Sequence, residues 1–373
     1  MLLRILKRMF LTLLAIFVLL ISALLIFLSR PHFGKAPSGE RLERIKKSPN
    51  YKNGKFENRE FTYQFNPDKG FAQAMWEFFT VKTEGLRPAQ QIPVINTNLK
   101  TLDKSIDQLI WFGHSSYYMI LDGKSFLVDP VFLQSSPIRY FNKPFAGTQI
   151  YSPQHFPEID YLVITHDHWD HLDYKTFLEL EGRTKKIITS LGVGSHLEHW
   201  GCNPSKIIEL DWDEKALLDS GFTVYCFTAR HFSGRSFGRN NTLWSSFVLE
   251  TPNRKIYIGG DSGYGTHFKT IGEKFPQMDL AIIENGQYNP DWFQIHIMPE
   301  ELPTAIQDIG AKQVLTVHNS KFALARHAWH DPMEKIYEAS LNKHIHLATP
   351  VIGEIVRIGD SAQVFEPWWK GLK

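Results

Sequence analysis

The sequence predicts an α/β protein of the α+β type, built in four layers. Two β-sheets lie face to face with helices outside (αββα), and one membrane-crossing helix precedes them. Three observations predict this. From Gln108 onward, short apolar, β-rich runs recur between turn signals such as "DGK". Helix-type stretches fall among them at 174–181, 193–200, 299–309 and 332–342. Met9–Leu28 is apolar throughout except for Thr12 and Ser22.

That first stretch is long enough for one hydrocarbon core, roughly 30 Å at about 1.5 Å per residue. A cleaved signal has a shorter apolar region, roughly 7–15 residues, and a small-residue cleavage site. The sequence "LLIFLSRPHFGK" offers no such site. Residues 1–30 therefore read as an uncleaved, single-pass signal anchor. Arg4, Lys7 and Arg8 flank one end, and Arg30, Lys35, Arg41, Arg44, Lys46 and Lys47 flank the other. The larger cluster favours a cytoplasmic catalytic domain or holds the chain near anionic headgroups; an N-in anchor with a translocated domain is the rival.

Residues 31–105 read as a linker and membrane-proximal extension. Residues 31–56 are rich in Lys, Arg, Pro and Gly without apolar periodicity. "FAQAMWEFF" (71–79) predicts a short aromatic helix, with Phe71, Trp76, Phe78 and Phe79 either meeting the bilayer interface or packing on the core.

Residues 106–373 read as the catalytic domain. Its strands are "QLIWF", "YYMIL", "SFLVD", "YLVIT", "KIITS" and "KIIEL", then "FTVYCFTA", "LWSSFVLE", "KIYIGGD", "DLAIIE" and "QVLTVH". Pro299 with Glu300 and Glu301, and later Pro332, suit helix N-termini. The composition is globular, 43% hydrophobic and 21% charged, which argues against disorder. A net charge of +2 gives no case for a nucleic-acid partner. The two cysteines, Cys202 and Cys226, form no disulfide framework or thiolate metal motif and read as small buried hydrophobes. Nothing in the sequence specifies an oligomeric state.

Directly after "YLVIT" comes "HDHWDHLD" (166–173), three histidines and three aspartates in eight positions. H-x-H on a loop leaving a strand turns two imidazoles to one side, and Asp170 with His171 reaches a second point. Imidazole and carboxylate suit zinc, with iron or manganese also compatible. Further candidates each terminate an apolar run: His231, Asp261 and His318.

In this order the residues resemble the metallo-β-lactamase superfamily, with Asp129 in "SFLVDPVF" as its early aspartate. Within it, the chain is similar to the N-acylphosphatidylethanolamine-hydrolysing phospholipase D family. The stretches "WFGHSSYYMILDGKSFLVDPVF", "THDHWDHLDY", "NTLWSSFVLETPNRKIYIGGDSGYG", "IGEKFPQMDLAIIENGQYNPDWF" and "VHNSKFALARHAW" carry that likeness. It implies two zinc ions per chain: one held by His166, His168 and His231, the other by Asp170, His171 and His318, with Asp261 bridging. Asp129 would orient a ligand, and His114 and His296 would lie near the substrate. Asp170, Asp261, His114 and His296 are thus the expected catalytic set. The chain departs from the family's mammalian members, which have Asn and Tyr where Asp167 and Trp169 stand, and from many members at Asn319-Ser320.

Other histidines read as surface: His196 and His199 on a helix, then His327, His330, His344 and His346. "GDSG" (260–263) has the look of a serine-protease loop, but its strand–Gly–Gly–Asp context suits a metal-bridging carboxylate better. The implied function is a membrane-anchored, metal-dependent phosphodiesterase of phospholipase D type. It would cleave N-acylphosphatidylethanolamine-like lipids to phosphatidic acid and N-acylethanolamine, with the bilayer as partner. A lactonase or other ester or phosphodiester hydrolase on a small soluble substrate is the alternative; a metal-binding scaffold without turnover is a third reading.

Overall fold

The computed structural model describes residues 1–138, 140–219 and 221–372, with the backbone alone at 71, 78 and 79. Helix α1 (Leu2–Leu28) buries none of its side chains in the protein, and its apolar length suffices to cross a membrane.

Residues 31–56 are not a passive linker. Helix α2 (Gly39–Lys46) and the hairpin of β1 (Tyr51–Lys52) and β2 (Lys55–Phe56) dock on the main body. The Arg41 guanidinium forks onto Glu198 (2.6 and 2.9 Å) and reaches Glu209 (2.7 Å), while Arg44 pairs with Glu214. Two of the arginines counted as facing headgroups are therefore turned to glutamates. Helix α3 (Phe71–Thr80) follows as expected. Trp76 on it is 71% exposed, and the expected interfacial role of Phe71, Phe78 and Phe79 concerns side chains outside those described.

Strands β3 (Gln108–Trp111), β4 (Tyr117–Leu121), β5 (Lys124–Val128), β6 (Ile159–Ile164), β7 (Thr184–Ser190) and β8 (Ile207–Leu210) form the first sheet. The second comprises β9 (Lys215–Leu217), β10 (Thr223–Thr228), β11 (Ser245–Glu250), β12 (Lys255–Ile258), β13 (Leu280–Glu284), β14 (Gln313–Val317) and β15 (Leu347–Ala348). Strand β16 (Ile355–Arg357) returns to the first sheet beside β3. In each sheet an antiparallel half gives way to a parallel one, β5 to β8 and β12 to β15.

Strand alternation decides which face meets which layer. Phe247, Leu249, Ile256, Ile258, Leu280 and Ile282 join the main core between the sheets. Their neighbours Val248, Tyr257, Ala281 and Ile283 face the other way. They pack under α6 (His267–Lys274), α7 (Leu302–Ile309) and α8 (Asp331–Lys343) through Phe268, Ile271, Leu302, Ile306 and Ile336. Helices α4 (Tyr174–Glu181) and α5 (Gly194–His199) contribute Phe177, Leu180 and Leu197 to the main core. The four-layer fold is therefore as expected, with α6 an unanticipated element. Helix α7 begins at Leu302 rather than Pro299, after a turn in which Glu301 N and Leu302 N donate to Met298 O. Cys202 and Cys226 are free and buried.

Candidate metal centre

Every candidate residue before 290 follows the C-terminal end of a strand: His114 after β3, Asp129 after β5, the 166–171 loop after β6, His231 after β10 and Asp261 after β12. His318 follows β14 in the same way. Ligands in sheets with parallel strands gather at such ends because side chains there leave the core and converge. The two sheets are stitched together at this edge: His114 N donates to Asn319 O (2.8 Å) and His318 N to His114 O (3.0 Å). His114, Asp129 and His318 all adopt positive φ (54°, 40° and 69°), a conformation that costs about 1–2 kcal/mol for a non-glycine residue and persists where surroundings impose it. Gly260 has φ 62°; a side chain there would meet Ser245 O at 2.8 Å, so only glycine lets Asp261 approach.

The structure brings together all seven residues, although they span 153 positions from 166 to 318. In one group, His166 Nε2 and His231 Nε2 lie 2.9 and 3.1 Å from His168 Nδ1. In the other, His171 Nε2 stands 3.7 Å from Asp170 Oδ2, beside His318. Asp261 lies between them. Its Oδ2 is 3.9 Å from His166 and 3.7 Å from His231; its Oδ1 is 3.1 Å from His171 and 3.3 Å from His318.

Surrounding groups fix these rings. Asp129 Oδ2 accepts from Thr165 Oγ1 and holds His171 Nδ1 at 2.8 Å, which turns Nε2 inward. The Ile295 carbonyl holds His231 Nδ1 at 2.8 Å, and Ser115 Oγ meets His318 Nδ1 at 2.9 Å. His114 Nε2 meets Asp170 Oδ2 at 2.9 Å, so His114 acts on a candidate ligand directly.

Burial lowers His166, His231 and His318 well below the ordinary imidazole range, which leaves them neutral and fit to donate lone pairs. Burial acts in the same direction on His171, but Asp261, Asp170 and Asp129 outweigh it and hold that ring above the range. A buried pocket of carboxylates thus calls for positive charge. His171 Nε2 and Asp261 Oδ1 are buried without a hydrogen-bond partner, in the positions a shared cation would satisfy. The donor set of imidazoles and carboxylates without thiolate fits divalent zinc, iron or manganese.

Glu284, at the end of β13, was not anticipated. Its Oε2 lies 2.8 Å from His296 Nδ1, and its Oε1 accepts from Ile297 N at 2.7 Å. Burial pushes its carboxyl well above the ordinary range. His296 stacks on His318 (ring centroids 5.3 Å) and lines a cavity of about 240 Å³ above the centre, shared with His168, Asp261 and Phe232.

The departures at 167 and 169 form one unit. Buried Asp167 accepts from Gly234 N (2.7 Å), Thr242 Oγ1 (2.9 Å) and pairs with His196 Nε2 (3.0 Å). Arg235 donates to the carbonyls of Asp167 and Leu172 and stacks over Trp169 at 4.0 Å. His196 is thus buried rather than on the surface, its Nδ1 accepting from Lys35 N. His199 is exposed as expected. His327 is half-buried and accepts from Gln287 N. Ser262 of "GDSG" is buried behind Asp261, accepting from Arg230 N and donating to Gly263 O.

The chain is similar to known proteins in sequence and in fold. The family described as the beta-lactamase superfamily domain matches residues 124–319. An uncharacterized protein of Mycobacterium tuberculosis is 36% identical over 334 residues, 87% of this chain and 88% of its own. N-acyl-phosphatidylethanolamine-hydrolyzing phospholipase D 1 of Caenorhabditis elegans is 29% identical over 246 residues, 61% of this chain and 68% of its own. In fold, the chain is similar to Igni18, a metallo hydrolase from Ignicoccus hospitalis, with a TM-score of 0.51 and 22% identity over 67% of this chain and 97% of that one.

Proposed function

The chain belongs to the metallo-β-lactamase superfamily of metal-dependent hydrolases, close to the N-acylphosphatidylethanolamine-hydrolysing phospholipase D family, and on that premise we propose that it is a membrane-anchored, dinuclear phosphodiesterase of phospholipase D type. Its substrate would be N-acylphosphatidylethanolamine-like lipid, split to phosphatidic acid and N-acylethanolamine. The observation that carries the dinuclear reading is Asp261, one carboxylate whose two oxygens face two histidine groups.

His166, His168 and His231 would hold one ion, Asp170, His171 and His318 the other, with Asp261 on both; the ions would be zinc, with iron or manganese also compatible with the donor set. When bound, divalent metal supplies Lewis acidity and lowers the pKa of water from 15.7 toward about 7. The chain's own residues hold the geometry. Asp129 and Ile295 O aim the rings of His171 and His231. Glu284 pins Nδ1 of His296, so the opposite ring edge with Nε2 stands in the cavity wall, placed to hydrogen-bond a leaving oxygen. Phe65, Phe232, Trp292 and Leu324 give that cavity apolar walls, which exclude water and suit a lipid. Helix α1 would place this site beside a bilayer, as a single-pass anchor.

The test is metal analysis and hydrolysis by full-length protein, wild type and Asp261→Ala. Wild type should bind about two metals per chain and cleave N-acylphosphatidylethanolamine in mixed micelles; the variant should lose activity with metal occupancy. Cleavage of lactones or soluble esters alone would favour the small-substrate hydrolase. Metal retention without hydrolysis of any ester or phosphodiester would favour a scaffold.

A further inference from the structure

The end of α1 is fastened to the metal-binding loop. Phe33 packs edge-on against both Phe27 (5.1 Å) and Trp169 (5.2 Å), and Trp169 lies between His168 and Asp170. The backbone is held too: Trp200 Nε1 donates to Pro31 O, Arg235 to His32 O and Ser195 Oγ to Lys35 O. Only two residues, Ser29 and Arg30, separate α1 from the turn that makes these contacts.

Between that last turn and the loop runs an open groove of about 320 Å³. Leu24 and Leu28 of α1 form one wall, and Trp169 and Phe232 the other. Phe237, 79% exposed, stands at its rim. Phe232 also lines the cavity over the metal centre, so this side chain borders both spaces. Arg239 sits at this junction, its guanidinium 5.3 Å from the Phe232 ring and 5.8 Å from Phe65. Pro137 also lines the groove, and Tyr140 and Phe141, three and four positions on in the chain, are 75% and 60% exposed.

We propose that this groove takes one acyl chain of a bilayer glycerophospholipid and feeds its headgroup past Arg239 to the metal centre, with α1 serving as a wall of the path as well as an anchor. The inference rests on the membrane-anchored reading above. An apolar groove whose wall is the last turn of a membrane-crossing helix opens toward hydrocarbon rather than water, and the occupant that matches it is a lipid tail. A tail entering there exchanges bilayer hydrocarbon for apolar side chains and is never exposed to water. The exposed Arg239 guanidinium, beside Phe232 and Phe65, complements a phosphate.

The test places full-length protein in phosphatidylethanolamine–phosphatidylglycerol vesicles containing a phosphatidylethanolamine with a diazirine on one acyl chain. Labelled peptides are mapped after illumination. Label should reach Trp169 and Phe232 as well as α1. Leu28→Trp, which fills the groove, should cut labelling at Phe232 by at least about five-fold. Leu24→Trp serves as the second filling variant should the first misfold, and Leu20→Trp, elsewhere on α1, should leave labelling unchanged. Label confined to α1, or label at Phe232 that neither filling variant reduces, overturns the groove. Labelling needs no turnover: a chain that labels at Phe232 yet hydrolyses no lipid keeps the groove and loses the phospholipase reading, whereas lipid hydrolysis with label confined to α1 does the reverse.

Discussion

Glu284 Oε2 lies 2.8 Å from His296 Nδ1, and the same carboxyl takes Ile297 N on its other oxygen at 2.7 Å. The two contacts fix both the carboxyl and the ring, which stacks on His318. Glu284 is therefore a positioning residue. Glutamine can keep the arrangement, accepting from Ile297 N and donating to Nδ1, whereas leucine cannot. Glu284→Leu should lower kcat by about 10-fold or more, with KM and metal content near wild type, and Glu284→Gln should recover most of the loss. A Leu variant that loses metal in proportion to activity would show instead that Glu284 supports the centre itself.

Metal removal should destabilise the fold. The carboxylates of Asp129, Asp170 and Asp261 crowd a site whose buried His171 Nε2 and Asp261 Oδ1 face each other at 3.1 Å without a hydrogen bond. A bound ion satisfies those atoms, and binding to the folded state alone adds about 2.7 kcal/mol at 100 times Kd. Chelated protein should melt lower than metal-loaded protein, and readdition of zinc should restore the melting temperature. Equal melting temperatures with and without chelator would contradict the reading.

Asp167 holds three donors while buried, in a position where the family's mammalian members carry Asn. An Asn here keeps one acceptor oxygen and turns its NH2 to the place of the other; the Thr242 hydroxyl can rotate to accept, but Gly234 N or His196 Nε2 is left facing a donor. Asp167→Asn should cost about 1–3 kcal/mol in urea unfolding. A neutral result would mean that the unit binding Arg235 and Trp169 tolerates the family's residue.

The strand framework and the main ligand group are legible because each polar candidate ends an apolar run, a local signal. The same rule points to Glu284, the last residue of "DLAIIE", and applying it to every strand end would have found it. Helix α6 hides because it is only eight residues long and carries Gly272, a poor helix former, among the helically spaced Phe268, Ile271 and Phe275. Helix α2 buries only Ile45 and is held by Arg41 on Glu198 and Glu209, over 150 positions away; no local pattern announces such a partner. His196 and His199 look alike on one short helix, yet Asp167 and Lys35 bury one and leave the other to solvent.

Lys321 gives the last prediction, on pH. It is buried, three positions beyond His318, and its Nζ donates to Phe112 O (3.1 Å) and Val131 O (3.0 Å). A neutral amine has two N–H donors, which these two carbonyls take up. Burial pushes the group down to about 7, against roughly 10.4 in an unfolded chain. Below pH 7 both states hold the proton, and the folded protein bears the full penalty of a buried charge. Between about pH 7 and 10.4 the unfolded chain holds more protons, so this residue's contribution to stability rises with pH. Lys321→Met has no such group. The unfolding free energy of wild type minus that of Lys321→Met, measured at matched ionic strength, should therefore increase from pH 7 to pH 9.5. A difference that stays flat over that interval would mean that Lys321 keeps its charge in the folded protein.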